Sequence, residues 1–283
     1  MAEQRDSIWV TDGSVAVGDP ATAANSVGLV FGEMTDSLTR MARTVLALLG
    51  RAGAGDGSGL AAPAAHSPRS VDLIALQPLI QTVLDDFSGL VTGAGFVAEP
   101  GVLCDCEYWV EWRMEWQGTF RRLEVSLDDP AGFDRYDYLH AAWFHRPRSG
   151  DTSTLTGPYV DLGGLNKYLV TLTIPVRDGE SFLGVVGVDI LVDRIEAVLR
   201  QMSRAMNVAT TILNADGRVI AASVPQLHPG ALAHGVDLTV ADGQLAAPGF
   251  SAYRCGPLPW TLLASPPTVP VRQLLRNPNS GSG

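Results

Sequence analysis

Hydrophobic positions along the chain follow two periods. Val27, Phe31, Met34, Leu38, Met41, Val45 and Leu48 recur at alternating spacings of 4 and 3, which predicts a helix of about 25 residues with one apolar seam. Such a seam either faces a core or pairs with a second copy as a coiled coil. Roughly three heptads are few for a coiled coil, which favours packing within the chain. Further on, Tyr168–Val176 and Phe182–Ile190 are two apolar runs around Arg177-Asp178-Gly179-Glu180-Ser181, the pattern of a β-hairpin. Alternation on the second run puts Leu183, Val185, Gly187 and Asp189 on one face. Asp189 therefore ends an otherwise apolar strand, with a glycine two residues before it. A carboxylate there is costly unless it meets a cation or several donors. It reads either as a cap at a strand exit or as a ligand-facing acid.

The rest of the chain fits around this hairpin. Residues 1–20 and the NPNSGSG tail lack periodicity and are expected to be loose, as is the Gly/Ala-rich stretch Gly50–Ser67. Ser70 is placed to cap the next helix, in which Pro78 suits the first turn and which continues through Phe87. Gly93–Glu99 reads as a strand. Its Gly-Ala-Gly faintly imitates a dinucleotide fingerprint, but follows a helix where that motif follows a strand. Cys104–Trp116 is the most aromatic segment. Phe120–Val125 predicts a strand, and Asp128–Phe144 a loop with a short helix. Leu191–Met206 predicts a helix with Val192, Ile195, Val198, Leu199 and Met202 on one face. A smaller β-rich unit follows, with strands at Ala209–Asn214, Arg218–Ser223, Phe250–Cys255 and Trp260–Ser265. Val271–Arg276 reads as a short closing helix.

Composition narrows the function classes. At 46% hydrophobic and 18% charged residues, the chain is of globular type. Its net charge of −10 repels phosphate backbones, so nucleic acid is not an expected partner. No run reaches the roughly 18–20 apolar residues that span a bilayer, and the N-terminus lacks a basic segment followed by an apolar core. The expectation is a soluble, cytoplasmic protein with no membrane partner. Three cysteines do not suggest a disulfide framework. Cys104, Cys106, His140 and His145 lack zinc-site spacing. No nucleophile elbow, P-loop or His-Glu-x-x-His is present. The chain is read as non-enzymatic, without cofactor or metal. A metal-dependent hydrolase on the same scaffold is the alternative from another class.

The segment GPYVD…YLVTLTIPV…GESFLGVVGVDI resembles the second half of the ligand-binding module in Cache sensor domains, PAS-like sheets that bind small metabolites. The weaker likeness extends over Ala24–Pro266, and ILNADGRVIAAS…WTLLASP resembles the second half of double Cache domains. The resemblance implies an α/β (α+β) protein: a long N-terminal helix backing a PAS-like antiparallel sheet, then a smaller β-rich unit. The expected division is 1–23 loose, 24–90 helical with an insert at 50–68, 91–190 the ligand-binding module, 191–206 a connecting helix, 207–270 the second unit and 271–283 a tail. A homodimer through the N-terminal helix, and a regulator or transport protein as output partner, are the expected associations.

Cache modules that bind amino acids hold both charged ends of the ligand with a recurring pattern. On this chain it falls on Tyr136, Trp143, Tyr159 and Asp189, with Phe144 where the pattern has a second tyrosine and Ala141 where it has an arginine. The interval from Phe144 to Tyr159 is short for it. Alanine cannot supply the bidentate fork that suits a carboxylate. What remains, an acid and aromatic faces, suits an organic cation. The resemblance thus implies an amine, polyamine or quaternary ammonium ligand. An amino acid whose carboxylate is held by Arg113, Arg146 or Arg148 is the alternative. Asp161, Trp109 and Trp112 are further candidate lining residues; Asp161 also reads as an Asx-turn, and the tryptophans as core. Glu111 and Glu115 are expected on a solvated face.

Overall fold

The computed structural model describes residues 18–50, 67–123, 137–161 and 166–276. Tyr136, the Gly/Ala-rich insert and the two loose ends of the sequence reading lie outside them. The first helix, α1, spans Pro20–Leu48, starting earlier than the seam alone indicates. Asp19 is the reason. The Thr22 N–H donates to Asp19 Oδ1 at 2.8 Å, and Pro20, with no N–H to satisfy, opens the helix. That backbone bond holds the Asp19 carboxyl below its ordinary range. Val27, Phe31, Met34, Leu38, Met41 and Val45 are all buried; at the end of the seam Leu49 is buried and Leu48 only half so.

The chain divides into two compact units, one of Met34–Thr156 with Thr171–Ile190, the other of the residues up to Glu33, Gly157–Val170 and Leu191 onward. The first is built on an antiparallel sheet of β1 (Val91–Ala98), β2 (Val110–Trp116), β3 (Thr119–Arg122), β4 (Thr154–Val160), β5 (Tyr168–Asp178) and β6 (Ser181–Leu191), in the order β3-β2-β1-β6-β5-β4. The predicted hairpin is β5–β6, turning at Gly179 with φ +56°, which glycine adopts without strain. Register across the middle of the sheet pairs Gly93 with Asp189 and Gly95 with Gly187. On its other side β1 pairs Gly93 with Met114 and Gly95 with Trp112.

Two helices lie on opposite faces of this sheet. The helix α2 (Gln77–Asp86), entered through a 3-10 turn at Ser70–Leu76, covers the face of Ala94, Phe96 and Glu111; Gln77 Nε2 donates to Glu111 Oε1 at 3.3 Å. The helix α3 (Ala142–Arg148) covers the other, where Thr173 Oγ1 donates to the Trp143 carbonyl at 2.8 Å. Two expectations are corrected here. Ser70 is not a cap: Arg69 holds that position, and the Ser70 hydroxyl donates to Asp105 Oδ2 at 2.8 Å. Glu111 is fully buried, not solvated. Its segment is a strand with period 2, so Glu111 shares the α2 face of the sheet.

The second unit carries a five-stranded antiparallel sheet of β7 (Ala209–Asn214), β8 (Val219–Ala222), β9 (Leu245–Ala247), β10 (Phe250–Arg254) and β11 (Trp260–Ser265), ordered β8-β7-β11-β10-β9. Its core gathers Leu213, Val219, Phe250, Leu263 and Leu274. The helix α4 (Val192–Met206) packs on it through Val192, Ile195, Leu199 and Met202, and stops where Asn207 turns left-handed at φ +54°. The start of α1 crosses the β10–β11 turn so closely that a Cβ on Gly28 would lie 2.8 Å from the Cys255 carbonyl oxygen. Phe31 there meets Trp260 edge-on, ring centres 4.8 Å apart.

Candidate functional site

The α3 face of the six-stranded sheet has a floor without side chains. Gly93, Gly95 and Gly187 sit on adjacent strands, and the Trp112 indole lies over them. A Cβ on Gly95 would be 2.9 Å from Trp112 Cε3, and one on Gly187 3.4 Å from Trp112 Cη2. A Cβ on Gly93 would come within 2.7 Å of Trp112 Nε1 and 3.3 Å of Asp189 Oδ2. The indole N–H edge and the Asp189 carboxylate therefore both approach the Gly93 backbone, so closely that even a Cβ at position 93 would displace the indole. The sequence carries this signal: glycines two apart in a strand share a face and admit a close neighbour.

Asp189 is half-buried, and Thr171 Oγ1 donates to its Oδ1 at 2.7 Å. Thr171 and Thr173 alternate on β5, so the same face presents one hydroxyl to the acid and another to the backbone of α3. Trp143 is nearly buried at the start of that helix. Thr173 is two residues from Thr171, roughly 7 Å along the strand, which brings the backbone of Trp143 to the Asp189 end of the face. Ala141, in the arginine position of the Cache pattern, is the residue that precedes α3.

The other predicted residues are placed less uniformly. Phe144 is fully buried, edge-on to Tyr138 and Phe182 at 4.9 and 5.5 Å. Phe182 and Asp189 stand seven residues apart on β6, roughly 23 Å, so Phe144 anchors the hairpin end of α3. Trp109 belongs to the opposite face: Arg122 stacks over its ring at 4.7 Å and also lies 3.4 Å from Glu111 Oε2. Naming Trp109 beside Trp112 as lining is thus corrected, because neighbouring odd and even positions of a strand diverge. Tyr159 is half-buried on β4. Asp161 follows it; its N–H donates to the Lys167 carbonyl at 3.1 Å, and its carbonyl accepts the Asn166 N–H at 2.9 Å. Tyr136 lies outside the described residues.

None of the three arginines weighed as substitutes for Ala141 stands beside Asp189. Arg113 points to the α2 face and donates to the Phe120 carbonyl at 3.2 Å. Arg146 pairs with Asp151 at 3.0 Å. Arg148 pairs with Glu99, whose carboxyl burial pushes above its ordinary range against the pull of that arginine. The sequence reading passes over Arg121. Register carries one line across four strands, Asp189–Gly93–Met114–Arg121, so Arg121 shares the face of Asp189 three strands away, with roughly 14 Å between their backbones.

Among the described residues, Cys104, Cys106, His140 and His145 do not join in a group of three or more that could hold a metal. His140 Nδ1 is 2.8 Å from Asp137 Oδ2. No described helix is long and apolar enough to cross a membrane.

The comparisons accord with this geometry. Residues 118–197 match the family model of the first PDC sensor domain of methyl-accepting chemotaxis protein-like proteins. The structure is similar to the extracellular domain of soHK1S-Z6, described as a candidate histidine kinase, at a TM-score of 0.56 and 15% identity over 90% of this chain and 93% of that one. It is similar to the corresponding domain of mmHK1S-Z3 at 0.55 and 14%, over 90% and 93%. It is also similar to methyl-accepting chemotaxis protein X at 0.52 and 15%, over 87% and 96%. No curated protein matches the chain. A long helix, a first antiparallel sheet whose strands β3 to β6 fall within the sensor-domain match and a smaller second sheet together give this chain the fold of the Cache (PDC) sensor domains.

Proposed function

We propose that this chain is a non-enzymatic sensor module that takes up a small organic cation (an amine, polyamine or quaternary ammonium compound) at Asp189. The observation that carries the reading is the half-buried Asp189 carboxylate at the end of an apolar strand face, with the indole edge of Trp112 beside it over Gly93. A carboxylate on a low-dielectric face draws a cation, and aromatic faces add attraction without requiring a fixed geometry. The Thr171 hydroxyl donates to one oxygen of the acid, and the other lies 3.3 Å from where a Cβ on Gly93 would sit. Ala141 supplies no fork for a carboxylate, and Arg113, Arg146 and Arg148 are turned away or paired. An α-amino acid would bury its carboxylate beside Asp189 without a donor, at a cost of about 1–3 kcal/mol. Binding is read out through a partner protein.

The test is calorimetric titration with amino acids and their decarboxylated amines in matched pairs, at constant ionic strength. Amines are expected to bind at least about tenfold tighter, roughly 1.4 kcal/mol. Amino acids binding tighter than their amines would overturn the reading and direct attention to Arg121 as carboxylate holder.

A further inference from the structure

The second unit holds a cavity of its own, of about 540 Å³, against the C-terminal half of α4. Its walls come from α4, from the start of β7, from the segment just past β8 and from the 267–272 segment that precedes and opens the closing 3-10 helix. It lies apart from the sheet interior of that unit, which Leu213, Phe250 and Leu263 fill.

Its chemistry is the reverse of the Asp189 face. Arg200, Arg204 and Arg272 all line it, and none of its lining residues is acidic. In a chain of net charge −10, three arginines converging on one recess without an acid among them is a strong local inversion. Arg200 is partly committed, lying 3.4 Å from Glu196 one helical turn away. Arg204 and Arg272 are exposed and form no ion pair among the described residues. Arg204 also sits in the last turn of α4, where its charge complements the helix carbonyls. Arg272 has no such role: it lies in a short 3-10 helix. Ser223 Oγ accepts the Thr210 N–H at 2.9 Å, which leaves its own hydroxyl proton for another acceptor. The remaining lining is aliphatic, valines and prolines such as Val269 and Pro270, with no aromatic ring.

We propose that this cavity is a second ligand site, for a small organic carboxylate with an aliphatic body. Arg204 and Arg272 hold the carboxylate through charge-assisted hydrogen bonds, and the valine and proline wall takes the chain. The absence of aromatic faces disfavours organic cations here. The two sites of the protein would thus select opposite charges, which lets one chain respond to two classes of metabolite.

The full chain is titrated by calorimetry with sodium hexanoate, with hexan-1-ol and with hexylamine at constant ionic strength. Hexanoate is expected to bind one per chain, and the alcohol and the amine at least about tenfold more weakly at this cavity. Arg204→Gln with Arg272→Gln should weaken hexanoate at least about tenfold and leave the thermal midpoint nearly unchanged, since both side chains are exposed. Asp189→Asn should leave hexanoate binding untouched, which separates this site from the cation site. Absence of hexanoate binding, equal binding of hexan-1-ol, or indifference to the double arginine substitution would overturn the proposal.

Discussion

The two sheets of this molecule use the same antiparallel plan and treat their faces oppositely. The five-stranded sheet fills its inner face: Leu213, Val219, Phe250 and Leu263 are all nearly or wholly inaccessible, and every residue of β11 is buried. The six-stranded sheet has no side chains of its own at Gly93, Gly95 and Gly187 on its α3 face, lays the Trp112 indole directly against that backbone and places an acid beside it. Both faces are closely packed, one by side chain against side chain, the other by an indole against bare backbone. The contrast separates a region held by interdigitated side chains from one in which bare backbone seats an indole beside an acid.

The largest effect that can break this contrast lies in the filled sheet. Phe250→Ala should cost about 3–5 kcal/mol of unfolding free energy by denaturant titration, with amine affinity unchanged in the folded fraction. Loss of amine binding in step with stability would show that the two regions do not separate as described. A smaller effect is expected at the glycine-floored face. Trp143→Ala should weaken amine binding roughly 30-fold, the loss of a desolvated cation–π contact of about 2 kcal/mol. If Trp143→Ala binds like wild type while Trp112→Ala does not, the aromatic wall is the indole over the glycine floor alone.

The smallest effect needs no substitution. Burial pushes the Cys255 thiol up to about 12, so at pH 8 it stays protonated and out of reach in the packed unit. Cys104, in the exposed loop before β2, should react with a thiol reagent in the native protein, and Cys255 only after unfolding. Equal rates for both in the native state would contradict the packing of that unit.

Much of the fold was legible because its strongest signals are periodic. The 4-and-3 spacing of α1 and the Asp-Gly hairpin of β5–β6 each rest on many residues that agree. Glu111 and Trp109 were misread for the opposite reason. Tryptophans at 109, 112 and 116 imitate helical spacing, while the true period of 2 splits Trp109 from Trp112 and carries Glu111 inward beside Gln77 and Arg122. Asp189 stands out in the sequence because an acid interrupts an apolar alternation, and the structure keeps it half-buried on that strand face. The shared face of Asp189, Gly93 and Arg121 is not legible there, because it depends on register with strands distant in sequence.

The central claim is that Asp189 holds the ammonium of the ligand. Asp189→Asn keeps the size of the side chain and an acceptor for the Thr171 hydroxyl, and removes the charge. Calorimetric titration of this variant with an amine that binds the native protein should show affinity reduced by more than about a hundredfold, in line with the 3–5 kcal/mol typical of breaking a buried charged pair. The thermal midpoint without ligand should scarcely move. An Asp189→Asn variant that binds the amine as tightly as the native protein would contradict the account.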